Sequence, residues 1–163
     1  MKEPLRWRDA RDSDSQGLID LITEIYHEYG EVMHTAGADS DLLTVEASYA
    51  GRGGAFIVLE DPHGTIVGCH ATSPTDPDAG LLTFRRLYLK KSFRGQDYGA
   101  QLMDWAVGWS RDHGYRRVEF WSDTRFHRAH RFFINYGFTK TGEIRDMHDG
   151  ALPYSEFFFT MDL

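Results

Sequence analysis

A glycine-containing turn in the middle of the chain has the residue types needed to hold an anion. Its sequence, Arg94-Gly95-Gln96-Asp97-Tyr98-Gly99-Ala100, lies between a predicted strand and a predicted helix. Glycines let the backbone approach a ligand closely. The first amides of the helix have no acceptors within it, and the helix dipole adds positive potential at the same point. With Arg94 as a charged donor, the turn predicts a binding site for a diphosphate.

This segment resembles motif A of the GNAT superfamily of N-acetyltransferases, whose pattern is Gln/Arg-x-x-Gly-x-Gly/Ala. A later segment, Ala129–Phe138, is similar to the helix of the family's motif B, which often ends in Gly-Phe. The resemblance covers nearly the whole chain and implies one GNAT-like acyl-CoA N-acyltransferase domain over residues 1–163. It also implies that acetyl-CoA is the acyl-donor cosubstrate and that an amine is the acceptor.

The resemblance implies a role for each residue of the donor site. The pantetheine arm would pair, like an added strand, with the backbone of Leu87, Tyr88 and Leu89, where the fourth and fifth strands splay apart. The pyrophosphate would lie in the turn formed by Arg94, Gly95, Gln96, Asp97, Tyr98, Gly99 and Ala100. Four further cations are near enough in sequence to reach the phosphates, although alternation along a strand prevents all of them from facing one way: Arg85, Arg86, Lys90 and Lys91.

Three residues differ from the family's pattern. Asp97 stands where motif A usually has its first glycine, and a carboxylate beside a pyrophosphate repels it. Phe133 stands where many members have the tyrosine that protonates the departing thiolate, and Phe126 stands where an asparagine is common. The donor-binding part of the pattern is therefore better preserved than the catalytic part.

Two side chains are the predicted catalytic groups, Asp123 and Tyr136. Glu119 and Asp123 share one face of a predicted strand, and Asp123 is the preferred general base because it lies at the strand end. A cap for the following helix is an equal interpretation of Asp123. Tyr136 is the candidate replacement for the missing acid, although a core position is the commoner role of such an aromatic. His127 and His130, among arginines, indicate a solvated or phosphate-facing surface.

The elements that must position these groups alternate between strands and helices. Strands are predicted at residues 5–8, 55–59, 65–72, 81–89, 117–122, 139–147 and 154–161. Helices are predicted at residues 16–29, 100–113 and 125–136, with a short one near 42–49, and residues 73–80 are predicted as a loop. This order predicts an α+β fold, in which a mixed, mostly antiparallel sheet has helices on both faces and one parallel strand-helix-strand unit.

The charge of the 163-residue chain, −7 overall, is unevenly distributed. Residues 1–80 contain five basic and fifteen acidic side chains, whereas residues 81–163 contain thirteen and ten. An acidic chain is a poor nucleic-acid binder, so no nucleic-acid partner is expected. The acidic first half, which also contains Tyr26 and Tyr29, favours a small cationic amine or peptide as the acceptor.

Other features limit the location and the partners. No apolar run approaches the roughly 20 residues of a membrane-spanning helix, so no membrane partner is expected. The charged N-terminal segment and the single cysteine, Cys69, favour the cytoplasm. The scattered histidines indicate no metal site. Phe157–Phe159 are apolar on both faces, which indicates either a homodimer or a central, covered strand.

Three classes of function follow from these features. The first is an acetyl-CoA-dependent N-acetyltransferase in which a neutral amine attacks directly. The second, motivated by Phe133 and Asp97, is a non-catalytic acyl-CoA-binding or sensing module. The third is a nucleotide-binding protein of another type, which the turn disfavours because it lacks the lysine of a P-loop and the spacing of a Rossmann fingerprint.

Overall fold

The computed structural model describes residues 4–150 and 152–163. Its strands are β1 (Arg6–Asp9), β2 (Ala55–Glu60), β3 (Ile66–Asp76), β4 (Leu81–Leu89), β5 (Arg117–Asp123), β6 (Thr139–Met147) and β7 (Tyr154–Asp162). Its α-helices are α1 (Ser15–His27), α2 (Val45–Ser48), α3 (Tyr98–Asp112) and α4 (His127–Tyr136). Short 3-10 turns lie at Asp12–Asp14, Ser40–Leu43, Ala50–Arg52 and Lys91–Phe93.

The seven strands form one sheet in the order β1-β2-β3-β4-β5-β7-β6. Neighbouring strands are antiparallel except β4 and β5, which are parallel and are connected through α3. A parallel pair needs such a crossover, whereas β6 and β7 are joined by a hairpin. The α+β class and the mixed, mostly antiparallel sheet are therefore confirmed.

Helices cover both faces of the sheet because successive apolar residues of a strand point to opposite faces, and both sets are buried. In β2, Phe56 and Val58 pack in the cluster that contains the apolar stripe of α1. Ile57 and Leu59 face the other way and pack against Leu102 of α3. Helix α4 joins α3 on this second face, over an aromatic core around Phe120 and Phe159 in β5 and β7.

Several predicted boundaries are wrong, and three of them affect the description of the site. Strand β3 continues to Asp76, so the first half of the predicted loop at 73–80 is strand. Pro74 fits there because the β3–β4 register shifts beside it. Helix α3 begins at Tyr98, two residues before the predicted start, because Asp97 takes a left-handed φ of 72° and turns the chain early. The helix expected near 42–49 is divided between the turn at Ser40–Leu43 and α2.

The apolar segment of β7 lies inside the sheet. Strand β7 is paired with β5 on one side and β6 on the other. Phe159 is fully buried on the α4 face, and Phe158 stacks on Trp121 at 4.7 Å on the opposite face. This arrangement matches the interpretation of a covered strand, and the homodimer stays a prediction. Among the helices that the structure describes, none is long and apolar enough to cross a membrane.

Candidate active site

Strands β4 and β5 are paired only near their beginnings. Parallel register joins Leu81 with Arg117 and Leu82 with Val118, and within the described residues no further pairs follow. Farther along β4, Arg86 has a φ of 59°, and the register between β3 and β4 shifts at the same point. Such a bulge bends the strand that contains it. The edge of β4 at Leu87–Leu89 therefore faces an opening between the two strands.

The turn at the mouth of this opening depends on two left-handed residues. Gly95 has a φ of 76°, which costs glycine little, and Asp97 has a φ of 72°, which costs an L-residue about 1 kcal/mol. The exposed Asp97 side chain makes no capping hydrogen bond to α3. A Cβ atom at Gly99 would have no heavy atom within 4 Å. The first amides of α3 therefore lie beside open space that a ligand can enter.

Basic side chains surround the same mouth. Arg94 donates from both terminal nitrogens to Glu28, each at 2.7 Å, and from Nε to the Leu89 carbonyl at 3.0 Å. The hydrogen bonds from Arg94 lower the pKa of Glu28, and the charges of Lys91 and Arg128 lower it further. Three cations around one carboxylate leave a positive potential, as a diphosphate site requires. Arg94 must exchange Glu28 for a phosphate in order to bind it.

Arg86 faces away from this mouth. Its buried guanidinium donates from Nη1 to Asp39 at 2.9 Å and from Nε to Asp41 at 3.0 Å. The hydroxyl of Tyr26 accepts from the same Nη1 and donates to Asp39 at 2.7 Å. Burial raises the pKa of Asp41, but the charge and hydrogen bonds of Arg86, together with Arg85 and Tyr49, outweigh burial and hold that pKa below its usual value. Arg86 therefore fixes the loop at residues 38–41 to β4.

Contacts between the two halves of the chain neutralise part of the charge asymmetry of the sequence. The acidic residues of the first half that were expected to attract an amine form ion pairs with cations of the second half: Glu28 with Arg94, Glu31 with Arg125, Asp39 and Asp41 with Arg86, and Glu24 with Lys90 at 3.8 Å. Most of these carboxylates are consequently neutralised in the folded protein.

Asp123 lies at the open end of β5 and is held by Arg125. Its Oδ1 accepts from the backbone N–H and the Nε of Arg125, each at 2.9 Å, and its Oδ2 accepts from Nη2 at 2.6 Å. The same Nη2 donates to Glu31 at 2.7 Å. The structure therefore places Asp123 at the opening and also shows the capping contact of the alternative interpretation. Glu119, the other candidate base, pairs with Arg117 near the start of β5 at 2.9 Å.

The structure does not bring Tyr136 to Asp123. Tyr136 is the last residue of α4, a ten-residue helix of about 15 Å, and Asp123 precedes the first turn of that helix. The Tyr136 hydroxyl donates to Asp104 of α3 at 2.6 Å, and its ring packs in the aromatic core. Its role as proton donor stays a prediction that this separation does not favour.

His130 is buried, contrary to the expected solvated position. Its Nε2 lies 3.1 Å from the Ser122 hydroxyl, and its ring packs against Phe157 and Phe159. Burial lowers the pKa of His130 to about 4, so the imidazole is neutral at pH 7. The apolar surroundings come from β7, whose pairing with β5 the sequence does not specify.

Sequence reasoning missed Glu156, which pairs with Asp123 in the β5–β7 register. Directly opposite residues place their side chains on one face of a sheet, so the two carboxylates are neighbours. Burial raises the pKa of Glu156, with contributions from the charges of Asp123 and Asp149, although Arg145 opposes the shift. Only the strand register could have identified Glu156.

The β6–β7 hairpin meets the loop that follows α1. The Ala38 N–H donates to the Asp149 carbonyl at 3.1 Å, and the Tyr154 hydroxyl donates to the Asp149 carboxylate at 2.8 Å. A Cβ atom at Gly37 would lie 2.6 Å from the Asp149 carbonyl, so the two segments approach closely. They enclose one side of the region in which Asp123 and Glu156 lie.

A sheet that opens between two parallel strands, with a helix N-terminus at the opening, defines the class of N-acyltransferase folds. Residues 19–138 match the model of the acetyltransferase (GNAT) family. An uncharacterised N-acetyltransferase of Schizosaccharomyces pombe is 27% identical over 121 residues, which are 74% of each chain. The chain therefore belongs to the GNAT acetyltransferase family, and the predicted resemblance is confirmed.

Solved structures share this fold. A GNAT-family acetyltransferase from Staphylococcus aureus superimposes with a TM-score of 0.81 at 21% identity, covering 97% of this chain and 98% of that one. A phosphinothricin acetyltransferase from Sinorhizobium meliloti, solved in complex with AcCoA, has a TM-score of 0.75 at 18% identity and covers 99% and 89%. At these identities the likeness establishes the fold.

Proposed function

We propose that the protein transfers an acetyl group from acetyl-CoA to the primary amine of a small cationic molecule or peptide. The observation that supports this most strongly is the opening between β4 and β5, with the first turn of α3 at its mouth. Family membership supports acetyl transfer as the reaction. When bound, acetyl-CoA supplies a thioester whose acetyl group passes to the amine nitrogen and whose thiolate leaves.

The donor site proposed here uses the residues that the sequence pattern predicts. The free edge of Leu87–Leu89 holds the pantetheine arm, and the turn at residues 94–100 holds the pyrophosphate. The open space beside Gly99 and the cations around Glu28 fit this ligand. Arg94 is the residue that must change partner, since Glu28 holds it in the free protein.

The acceptor region proposed here lies where β5 ends and β7 begins. Four carboxylates lie in this region, those of Glu31, Asp123, Asp149 and Glu156. Two guanidinium groups, those of Arg125 and Arg145, accompany them. The balance is negative, which favours an ammonium group and disfavours an anionic acceptor. This remaining negative potential supports a cationic amine even though Asp39 and Asp41 are neutralised.

Glu156 is the general base in this proposal, since burial raises its proton affinity and the charge of Asp123 adds to that rise. Both oxygens of Asp123 accept from Arg125, whereas Arg145 donates from Nε and Nη2 to Oε1 of Glu156. A carboxylate with a raised pKa accepts a proton more readily near neutral pH. Glu156 therefore takes the proton that the ammonium group must lose before its nitrogen attacks.

Glu156→Gln should lower kcat by about 100-fold at pH 7, because a positioned general base typically contributes between about 100-fold and 10,000-fold. The loss should shrink at high pH, where the amine is already neutral in solution, and acetyl-CoA affinity should stay unchanged. Initial rates of thiol release against pH check this. Glu119→Gln is the matched control, and equal effects of the two substitutions would exclude Glu156 as the base.

Asp97→Gly should improve both stability and donor binding. Glycine takes the left-handed φ without steric cost, so the free energy of unfolding should rise by about 0.5–1 kcal/mol. Removing a carboxylate from the mouth of α3 should also tighten acetyl-CoA binding about threefold. Urea unfolding and calorimetric titration measure the two effects. A weaker donor affinity would show that the Asp97 carboxylate helps to form the site.

Thiol release from acetyl-CoA with a panel of amines tests the proposed function. The panel contains polyamines, amino acids, aminoglycosides and peptides, together with neutral and anionic amines. Fastest turnover of a cationic primary amine is the expected result, and a preference for anionic acceptors would contradict the electrostatic argument.

One observation favours a second function, since Phe133 is buried among aromatic rings and provides no proton donor. Binding without turnover would indicate a non-catalytic acyl-CoA module.

A further inference from the structure

The hydroxyl of Tyr29 lies buried without a hydrogen-bond partner. Among the described residues, the buried side-chain nitrogen and oxygen atoms all have a hydrogen-bond partner except the Tyr29 oxygen. A buried hydroxyl without a partner costs free energy, since water would otherwise satisfy it. Folding alone therefore gives no reason for an oxygen at this position, and phenylalanine would serve the core better.

Neighbouring groups place this hydroxyl at the opening between β4 and β5. Tyr88 of β4 and Asp123 at the end of β5 both influence the Tyr29 hydroxyl electrostatically. The Tyr29 ring packs edge-on against Phe126 at 4.4 Å, and the guanidinium of Arg125 lies 5.3 Å from its centre. The hydroxyl consequently lies where the two strands are no longer paired.

The surroundings make Tyr29 a donor and not a base. Burial raises the pKa of Tyr29 far above neutrality, and the neighbouring Tyr88 hydroxyl and the charge of Asp123 raise it further, so the Tyr29 hydroxyl keeps its proton. The nearby carboxylates of Asp123 and Glu31 are bound by Arg125 and do not accept from it. The O–H group is thus available to a ligand.

Resting on the proposed function, we infer that Tyr29 is a catalytic residue that donates a hydrogen bond to the negative charge developing on the acetyl thioester during attack. The proton stays on the Tyr29 oxygen, while the carbonyl electron pair moves to the oxygen that accepts the hydrogen bond. Phe126 packs edge-on against the Tyr29 ring and fixes its orientation. The hydroxyl supplies a donor in a chain that has Phe133 at the customary tyrosine position.

Tyr29→Phe tests the inference, because it removes one oxygen and keeps the ring contacts. With the fastest amine of the panel, kcat should fall about 100- to 1,000-fold, with the KM of the amine within about twofold. The melting temperature of the free protein should stay equal or rise, since no hydrogen bond is lost. The control is Tyr26→Phe, which should lower the melting temperature by removing a donor from buried Asp39 and should leave kcat within about threefold.

Calorimetry gives a second measurement that needs no turnover. Tyr29→Phe should weaken the binding of acetyl-CoA relative to that of CoA by about threefold, because only acetyl-CoA has the thioester carbonyl oxygen that accepts the hydrogen bond. An unchanged acetyl-CoA/CoA ratio together with wild-type kcat would overturn the inference and leave the proposed function intact. A melting temperature that falls as in Tyr26→Phe would also overturn it, by showing a structural partner. Absence of turnover in the wild-type protein counts against the proposed function. In that case the effect of Tyr29→Phe on the acetyl-CoA/CoA affinity ratio is the measurement that decides the inference.

Discussion

Gly99→Glu is expected to weaken acetyl-CoA binding by at least about 100-fold while stabilising the free protein. A carboxylate and a phosphate about 4 Å apart near a protein surface repel each other by about 4 kcal/mol, which exceeds this loss of affinity. In the free protein the same substitution replaces a helical glycine and places a negative charge in the first turn of α3. Both changes are favourable and together are worth about 1 kcal/mol.

The opposite signs of these two effects separate a binding defect from a folding defect. Gly108→Glu is the matched control, because Gly108 lies in the same helix and its Cβ position also has no heavy atom within 4 Å. It should gain about 1 kcal/mol in the free energy of unfolding and keep wild-type affinity. Calorimetric titration and urea unfolding measure both variants. Equal acetyl-CoA affinity for the two variants would show that the first turn of α3 is not part of the donor site.

Arg86→Ala is expected to lower the free energy of unfolding by about 3–5 kcal/mol, the usual cost of leaving a buried charge without its partner. Asp39 is 2% exposed and receives its guanidinium hydrogen bond from Arg86, so truncation leaves a buried carboxylate. A loss of this size is a large fraction of the total stability of a typical domain.

The control for Arg86→Ala is Arg117→Ala, which breaks exposed ion pairs with Glu119 and Asp162. Exposed pairs are worth about 1 kcal/mol or less, so this variant should unfold near the wild-type denaturant midpoint. Urea unfolding followed by circular dichroism checks both variants. If Arg86→Ala lost no more stability than Arg117→Ala, the network around Asp39 and Asp41 would not hold the loop in place.

Periodicity and turn chemistry were sufficient to predict the elements of the fold. The apolar spacing of residues 18–25 identified α1, because a helix that buries one face repeats its apolar residues every three or four positions. The apolar run of residues 55–59 identified β2, a strand that is buried through its middle. The start of α3 was misplaced because Asp97 adopts a backbone conformation that glycine usually provides. Local sequence carries little information about such a strained residue.

The site could be predicted only where its residues are contiguous. The turn at residues 94–100 is one segment, so its glycines and Arg94 were visible in the sequence. Glu156 depends on the β5–β7 register, and Tyr29 on the packing of α1 beside the opening, and neither relation is local. The direction of Arg86 depends on a bulge that reverses strand alternation.

The central claim is that the first turn of α3 holds a diphosphate, and calorimetric titration with CoA and with pantetheine tests it most directly. Pantetheine keeps the arm that pairs with β4 but lacks the diphosphate and the nucleotide. We predict that CoA binds at least about 100-fold more tightly than pantetheine, and that added salt reduces this difference. Equal affinities for the two ligands, or tighter binding of pantetheine, would contradict the account.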